Sequence, residues 1–371
     1  MPNFFRKHLE SFYRSARRRV FPQAEFEARV RELVERMVPK TDGEQRPNPH
    51  VLSWHLRDID VLRMNVKNYG FQLGKALAPA LARIDVQGEP AHHGLVSKPT
   101  TQADVESPWF VYWCQQLGIA PVYHRKLWEF AFTLQALHEA GLLAEGKRGI
   151  GFGCGEEPLA SYFASRGMSS TVTDLSPEQV AGKGWTNTQQ HASTLRMAWH
   201  PDLVDEARFL HHVDHKFVDM NDVPDVAEPY DFCWSICALE HLGSIEKGLA
   251  FVENAMKVLK PGGIAVHTTE FNYSRDEATV DNWQTVLFQR RHFQQLAERL
   301  AAKGHTMLGP DFDVGDGVLD GFVDVPPYTW DTEERDIMAW DKRAKPVAHL
   351  KLAVDGFPTT CFGIVVRKGA A

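Results

Sequence analysis

The sequence predicts an α/β fold of the nucleotide-binding kind, and three observations predict it. They are the glycine-alternating turn Gly151-Phe-Gly-Cys-Gly155, a helix that opens directly behind it, and Asp174 at the end of the next β-rich run. Gly151, Gly153 and Gly155 let the backbone turn tightly with nothing between it and a ligand. Pro158 suits the first turn of a helix, where its missing N–H costs nothing, and Leu159, Tyr162, Phe163 and Met168 give that helix an apolar face. Thr171-Val172-Thr173 then leads to Asp174, nineteen residues past Gly155, close to the ~20 expected of a carboxylate that holds a ribose diol. Ser176-Pro177-Glu178-Gln179 reads as an N-cap with proline at N1 and glutamine at N3, which opens the next helix.

Charge narrows the ligand. A dinucleotide fold sets pyrophosphate on the helix N-terminus, where free N–H groups favour an anion, but here Glu156 and Glu157 occupy that turn. Two carboxylates repel a pyrophosphate and suit a phosphate-free nucleoside with a cationic arm, such as S-adenosylmethionine. Gly151, Gly153, Cys154, Gly155, Glu157, Asp174 and Leu175 are therefore the first cofactor candidates.

Taken together, the motifs from about Gly146 to Lys368 resemble class I S-adenosylmethionine-dependent methyltransferases. Gly151-Phe-Gly-Cys-Gly155 looks like that family's first motif, and Asp174 like its ribose-binding acid. Phe217-Val-Asp219-Met220 is similar to its adenine-contacting segment after the third strand. Tyr230 to Leu242, with Ser235 inside it and ending on Leu239-Glu-His-Leu242, resembles the fourth strand and the short segment behind it; Leu259-Lys-Pro-Gly-Gly263 resembles the turn before the fifth. Two positions depart from the family: Gly151 stands where the motif usually opens on an acid, and Glu157 where it has its last glycine. The resemblance implies a Rossmann-like, mostly parallel seven-stranded sheet with an antiparallel last strand. It also implies S-adenosyl-L-methionine as cofactor, with Asp219 and Met220 beside the adenine. The runs Ser107–Cys114, Tyr123–Glu129 and Glu240–Ile245 are similar to those of bacterial methyltransferases that modify surface glycans.

Length and composition agree with this. At 371 residues the chain exceeds one such core, and a prior of ~150 residues per domain suggests two units. Residues 1–145 read as a mainly helical cap that binds the acceptor, and 146–371 as the core, with an insertion at about 313–358. A net charge of −7 argues against a general nucleic-acid binder, which needs a basic face. The five cysteines are odd in number and lie mostly in apolar runs, so they read as reduced core residues of a cytoplasmic protein. No run reaches the ~20 apolar residues that span a bilayer, and the N-terminus lacks the apolar centre of a secretion signal.

Along the cap, Phe4, Phe5, Leu9, Phe12 and Tyr13 sit at helical spacing among six basic residues. Such a helix either lies on an anionic membrane face or docks on the protein itself. Glu25–Met37 is again helical, 39–49 reads as linker, and Val61–Ile84 carries Leu62, Val66, Tyr69, Leu73, Leu77, Leu81 and Ile84 as a buried stripe. Residues 88–103 read as loop. Trp109, Tyr112, Trp113, Tyr123 and His124 form an aromatic cluster that either lines an acceptor pocket, stacking on sugar C–H faces, or cements the cap to the core.

In the core, Gly184–His191 is a polar connection that either reaches the cofactor or caps a helix. His211, His212 and His215 lack a matching ligand set, so no metal is expected there; the strand after them is placed at Phe217-Val218. Helices are placed at Ile245–Leu259 and Trp283–Leu300, and strands at Ile264–His267, 304–312 and Thr359–Arg367. Asp324–Trp330 reads as a second lid.

Methyl transfer is an in-line displacement, so positioning dominates, and an alcohol acceptor also profits from a general base. Ligands bind outside the carboxyl ends of the strands. His241 is the first candidate because imidazole titrates near neutrality, with Glu240 orienting it; His267, Glu270 and His124 are the others. The reading is O-methylation of a saccharide or other small or lipid-linked acceptor. N-methylation, a nicotinamide oxidoreductase and a non-catalytic S-adenosylmethionine binder stand as alternatives, and the oligomeric state is open.

Overall fold

The computed structural model describes residues 28, 32, 49–176, 195–274, 278–326, 328 and 348–370, with the backbone alone for 49–57 and 60. The basic N-terminal segment, nearly all of Glu25–Met37, the linker before Pro49, the Pro177–Gln179 cap and Gly184–His191 lie outside the described residues.

Helices α1 (Pro49–Leu81), α2 (Gln102–Val105), α3 (Pro108–Gln116) and α4 (Arg125–Glu139), with strand β1 (Lys98–Pro99), precede the main sheet. The sheet itself is built from β2 (Arg148–Phe152), β3 (Ser169–Asp174), β4 (Val213–Phe217), β5 (Tyr230–Ile236), β6 (Leu259–Asn272), β7 (Thr306–Met307), β8 (Val323–Asp324), β9 (Lys351–Val354) and β10 (Phe357–Arg367). Helices α5 (Leu159–Ser165), α6 (Glu206–His212), α7 (Ile245–Ala255) and α8 (Arg290–Ala302) connect them.

The order is β4-β3-β2-β5-β6-β10, parallel as far as β6 and reversed at β10, with β7 pairing back onto β10. This is the Rossmann-like sheet that was expected, with a single antiparallel strand among seven. β5 is buried along its whole length, as a central strand covered by helices on both faces must be. On one face α3, α4 and α5 bury Phe110, Trp128 and Phe163 against Phe232 and Trp234. On the other, α7 and α8 bury Leu249, Val252, Phe293 and Leu296 against Cys233 and Phe362.

The outer edge of β10 differs from expectation. It takes β9 and β1 as well as β7, and β8 runs parallel to β9. The loop read over 88–103 thus contributes a strand. The region read as an insertion also builds sheet edge: Asp324, expected in a lid, sits in β8, while residues 327, 329 and 330 of that lid lie outside the described residues.

Other boundaries move for local reasons. Helix α8 starts only after Gln289, whose N–H donates to His292 Nδ1 at 2.9 Å in a capping box, and Trp283 is exposed before it. Asp205 Oδ1 caps α6 by accepting from the Arg208 N–H, so β4 begins at Val213. Within the stripe read over Val61–Ile84, Leu81 is buried and Leu73, Leu77 and Ile84 pack on the core, but Leu62 and Tyr69 are exposed. Among the described residues no helix is long and apolar enough to cross a membrane.

Candidate active site

The glycine turn is held open by its neighbours. A Cβ on Gly151 would lie 2.3 Å from Cys154 Sγ and 2.4 Å from the Trp234 ring, so no larger residue fits. Gly153 adopts φ +63°, which side chains rarely tolerate, and a Cβ there would meet Ala238 and, at 3.4 Å, Met220 Sδ. Met220 therefore lies against the glycine turn. The Gly155 N–H donates to Asp174 Oδ2 (3.3 Å) and the Leu175 N–H to Oδ1 (2.8 Å). Asp219 Oδ1 accepts from both the backbone and the side chain of Asn221. Gly151, Gly153, Cys154, Gly155, Asp174, Leu175, Asp219 and Met220 thus gather at the carboxyl ends of β2, β3 and β4. Glu157 is buried behind the turn and accepts from Trp234 Nε1. Burial pushes its carboxyl up to about 8, against the pull of that donor.

A second cluster lies beside it, where the N-terminus of α4 meets the ends of β5, β6 and β10. Arg125 pairs with Glu270 and reaches Cys361 Sγ at 3.2 Å. Lys126 Nζ lies 3.3 Å from Glu129. Fully buried Glu129 also accepts from the Thr268 hydroxyl and from the thiols of Cys237 and Cys361, both at 2.9 Å. Burial acts to raise the Glu129 carboxyl, but Lys126, Arg125 and the two thiols outweigh it and hold the carboxyl below its usual range. Glu240, 1% exposed, accepts from Thr269 Oγ1 at 3.0 Å; burial, then the neighbouring Glu270, push it up to about 8. His349 donates from Nδ1 to Asp324 Oδ2 (2.8 Å) and faces the His124 ring at 4.8 Å.

The catalytic candidates separate here. Glu240 and Glu270 face this cluster. His241 turns outward, its Nδ1 donating to the Gln284 carbonyl at 3.1 Å, and its Nε2 lies 4.0 Å from Glu240. His267 and Ser235 need correction: both are fully buried, share a 2.8 Å hydrogen bond and pack under Phe251, away from the mouth. A polar residue in a central strand still alternates into the core; the Ser235 hydroxyl pairs with His267 Nδ1, while His267 Nε2 is buried without a hydrogen-bond partner. Burial holds the His267 imidazole down to about 3, against ~6.5 when unfolded. The folded state therefore resists a proton that the unfolded chain accepts. This contribution to stability is intact above pH ~6.5 and declines as pH falls towards 3, by about 2 kcal/mol at pH 5. Urea unfolding of the wild type and His267→Gln at pH 7.5 and 5 checks this: the variant should lose less on acidification.

Of the aromatic acceptor candidates, only His124 reaches the cluster. Trp109, Trp113 and Tyr123 are buried; Trp113 Nε1 donates to Gln135, and the Tyr123 hydroxyl to Glu106. Tyr112 lies near Arg166, at the far end of α5 from the glycine turn. These rings cement the helices to the sheet. Sequence reasoning passed over Arg125, Lys126, Glu129, Cys237, Cys361 and His349, because only the fold brings α4, β5 and β10 together. One signal was available: an Arg-Lys pair and a glutamate in the first turns of a helix, set among Leu127, Trp128, Phe130 and Phe132.

A family profile described as a methyltransferase domain matches residues 124–306. No curated protein matches the chain. Among solved structures the chain is similar to the [4+2]-cyclase SpnF, at 18% identity and TM-score 0.42, covering 81% of this chain and 97% of that one. It is also similar to the N-methyltransferase NodS from Bradyrhizobium japonicum WM9 (14%, TM-score 0.33, covering 64% and 93%). A third is the phosphoethanolamine N-methyltransferase 2 from Haemonchus contortus in complex with S-adenosyl-L-methionine (13%, TM-score 0.37, covering 64% and 52%).

Proposed function

We propose that this chain, whose residues 124–306 match a methyltransferase-domain profile, uses S-adenosylmethionine to methylate a hydroxyl of a saccharide or similar small polyol, with Glu240 as general base. The observation that carries this is the pair of buried carboxylates, Glu240 and Glu270, at the ends of β5 and β6 beside the cofactor turn. Hydroxyl acceptors present hydrogens, and carboxylates accept them. The sulfonium needs no acid to leave, so a base and alignment are what the protein must supply. Arg125 holds Glu270 in place, Thr269 orients Glu240 through Oε2, and His241 backs Glu240 from outside the pocket.

The test is methyl transfer from labelled S-adenosylmethionine to panels of saccharides and of small amines. Once an acceptor is found, Glu240→Gln is expected to cut turnover about 10²–10⁴-fold with S-adenosylhomocysteine bound as in the wild type. His241→Ala is expected to stay within a few-fold of the wild type. Collapse in His241→Ala with Glu240→Gln intact would return the base to the imidazole. Transfer to amines alone would replace the hydroxyl reading by N-methylation, in which the two carboxylates hold an ammonium group.

A further inference from the structure

Cys237 and Cys361 end on strands that flank β6 on opposite sides: Ile236 pairs with Thr268 on one edge and Cys361 with Glu270 on the other. Two strand spacings separate those backbones by roughly 9.5 Å, beyond the ~7 Å at which cysteines can be bridged by a disulfide without backbone movement. Yet the thiols lean over β6 until their sulfurs are 3.8 Å apart. Two sulfurs bound to one zinc-type ion at ~2.3 Å in a tetrahedron stand about that far apart. Glu129 comes down from α4 with Oε2 2.9 Å from Cys237 Sγ and Oε1 2.9 Å from Cys361 Sγ. Oxygen and sulfur ligands thus converge from three separate elements on one point.

A second observation points at the same place. Cys237 Sγ also lies within 4.8 Å of carboxylate oxygens of Glu240 and Glu270, and Glu270 Oε2 is buried there with no hydrogen-bond partner. Burial favours the protonated thiols, which donate to Glu129, so an ion that binds here must displace both protons; Lys126 and Arg125 flank the cluster. Charge also closes. Two thiolates with ionised Glu129 and Glu270 carry as much negative charge as Arg125, Lys126 and one divalent ion carry positive. From this geometry we propose that Cys237, Cys361 and Glu129 bind a soft divalent cation of the zinc class, with its remaining position on the side of Glu240 and Glu270. Binding would exchange two thiol protons for one ion. The proposal is independent of the acceptor and of turnover.

The test uses the full chain stripped with a strong chelator and titrated with Co²⁺ and then Zn²⁺. The expected result is one ion per chain, with an intense thiolate-to-cobalt charge-transfer band and tetrahedral visible bands that Zn²⁺ abolishes. Calorimetry of Zn²⁺ binding in buffers of different ionisation enthalpy should show release of about two protons. Cys361→Ser, checked by circular dichroism and S-adenosylhomocysteine binding, should lose more than about 100-fold in Zn²⁺ affinity and much of the charge-transfer intensity. A weak octahedral cobalt spectrum, or no proton release from the wild type, would overturn the site without any variant. So would unchanged binding in Cys361→Ser.

Discussion

Asp174→Ala is expected to weaken S-adenosylmethionine binding about 10²–10⁴-fold, as two charge-assisted hydrogen bonds to the ribose diol at ~1.5–3 kcal/mol each are lost. The carboxylate has a second duty, because its oxygens accept from the Gly155 and Leu175 N–H groups and so fix the turn against the end of β3. Asp174→Asn separates the two: it keeps an oxygen for one turn amide but loses the charge, and should fall between the wild type and the alanine variant. Calorimetry with S-adenosylhomocysteine reads both. Binding of NADH instead, or an alanine variant that binds as the wild type does, would detach Asp174 from the ribose.

Arg125→Met is expected to produce the largest loss of stability, about 3–5 kcal/mol. The guanidinium and the Glu270 carboxylate are both nearly buried, their side chains 11% and 6% exposed. Taking the cation away strands a carboxylate out of water, and that cost exceeds the attraction lost. The double variant Arg125→Met, Glu270→Gln should recover part of the loss, because a neutral amide is cheaper to bury. Urea midpoints for the wild type, both single variants and the double variant measure the coupling. An Arg125→Met midpoint equal to that of the wild type would mean that solvent reaches this pair.

How much was legible beforehand depends on whether a feature is local. The glycine turn, α5, β3 and Asp174 form one continuous stretch, and the turn's geometry follows from glycine's freedom and proline's place in a helix. The apolar run of β5 and the turn before β6 are equally local. The candidates for the cofactor therefore come together at one end of the sheet, apart from Ser235. Its face of the strand depends on a two-residue period and on what packs beneath it, here His267 and Phe251. The same ambiguity misplaced His267.

The sequence by itself determined the glycine turn, the helix and strand that follow it and the acid at that strand's end, because each is set by backbone conformation and patterning within about 30 residues. Only the tertiary structure decided which aromatic rings are mortar and which titratable groups meet. Glu129 and Cys361 are 232 positions apart, and Arg125 and Glu270 are 145 apart. They meet because α4 lies across β5, β6 and β10, a packing fixed by the summed burial of many apolar side chains and written in no local spacing. Buried charge has a cost that only its partners remove, so preferring Glu240 and Glu270 to the two histidines, and adding Arg125, had to wait for the fold that pairs them.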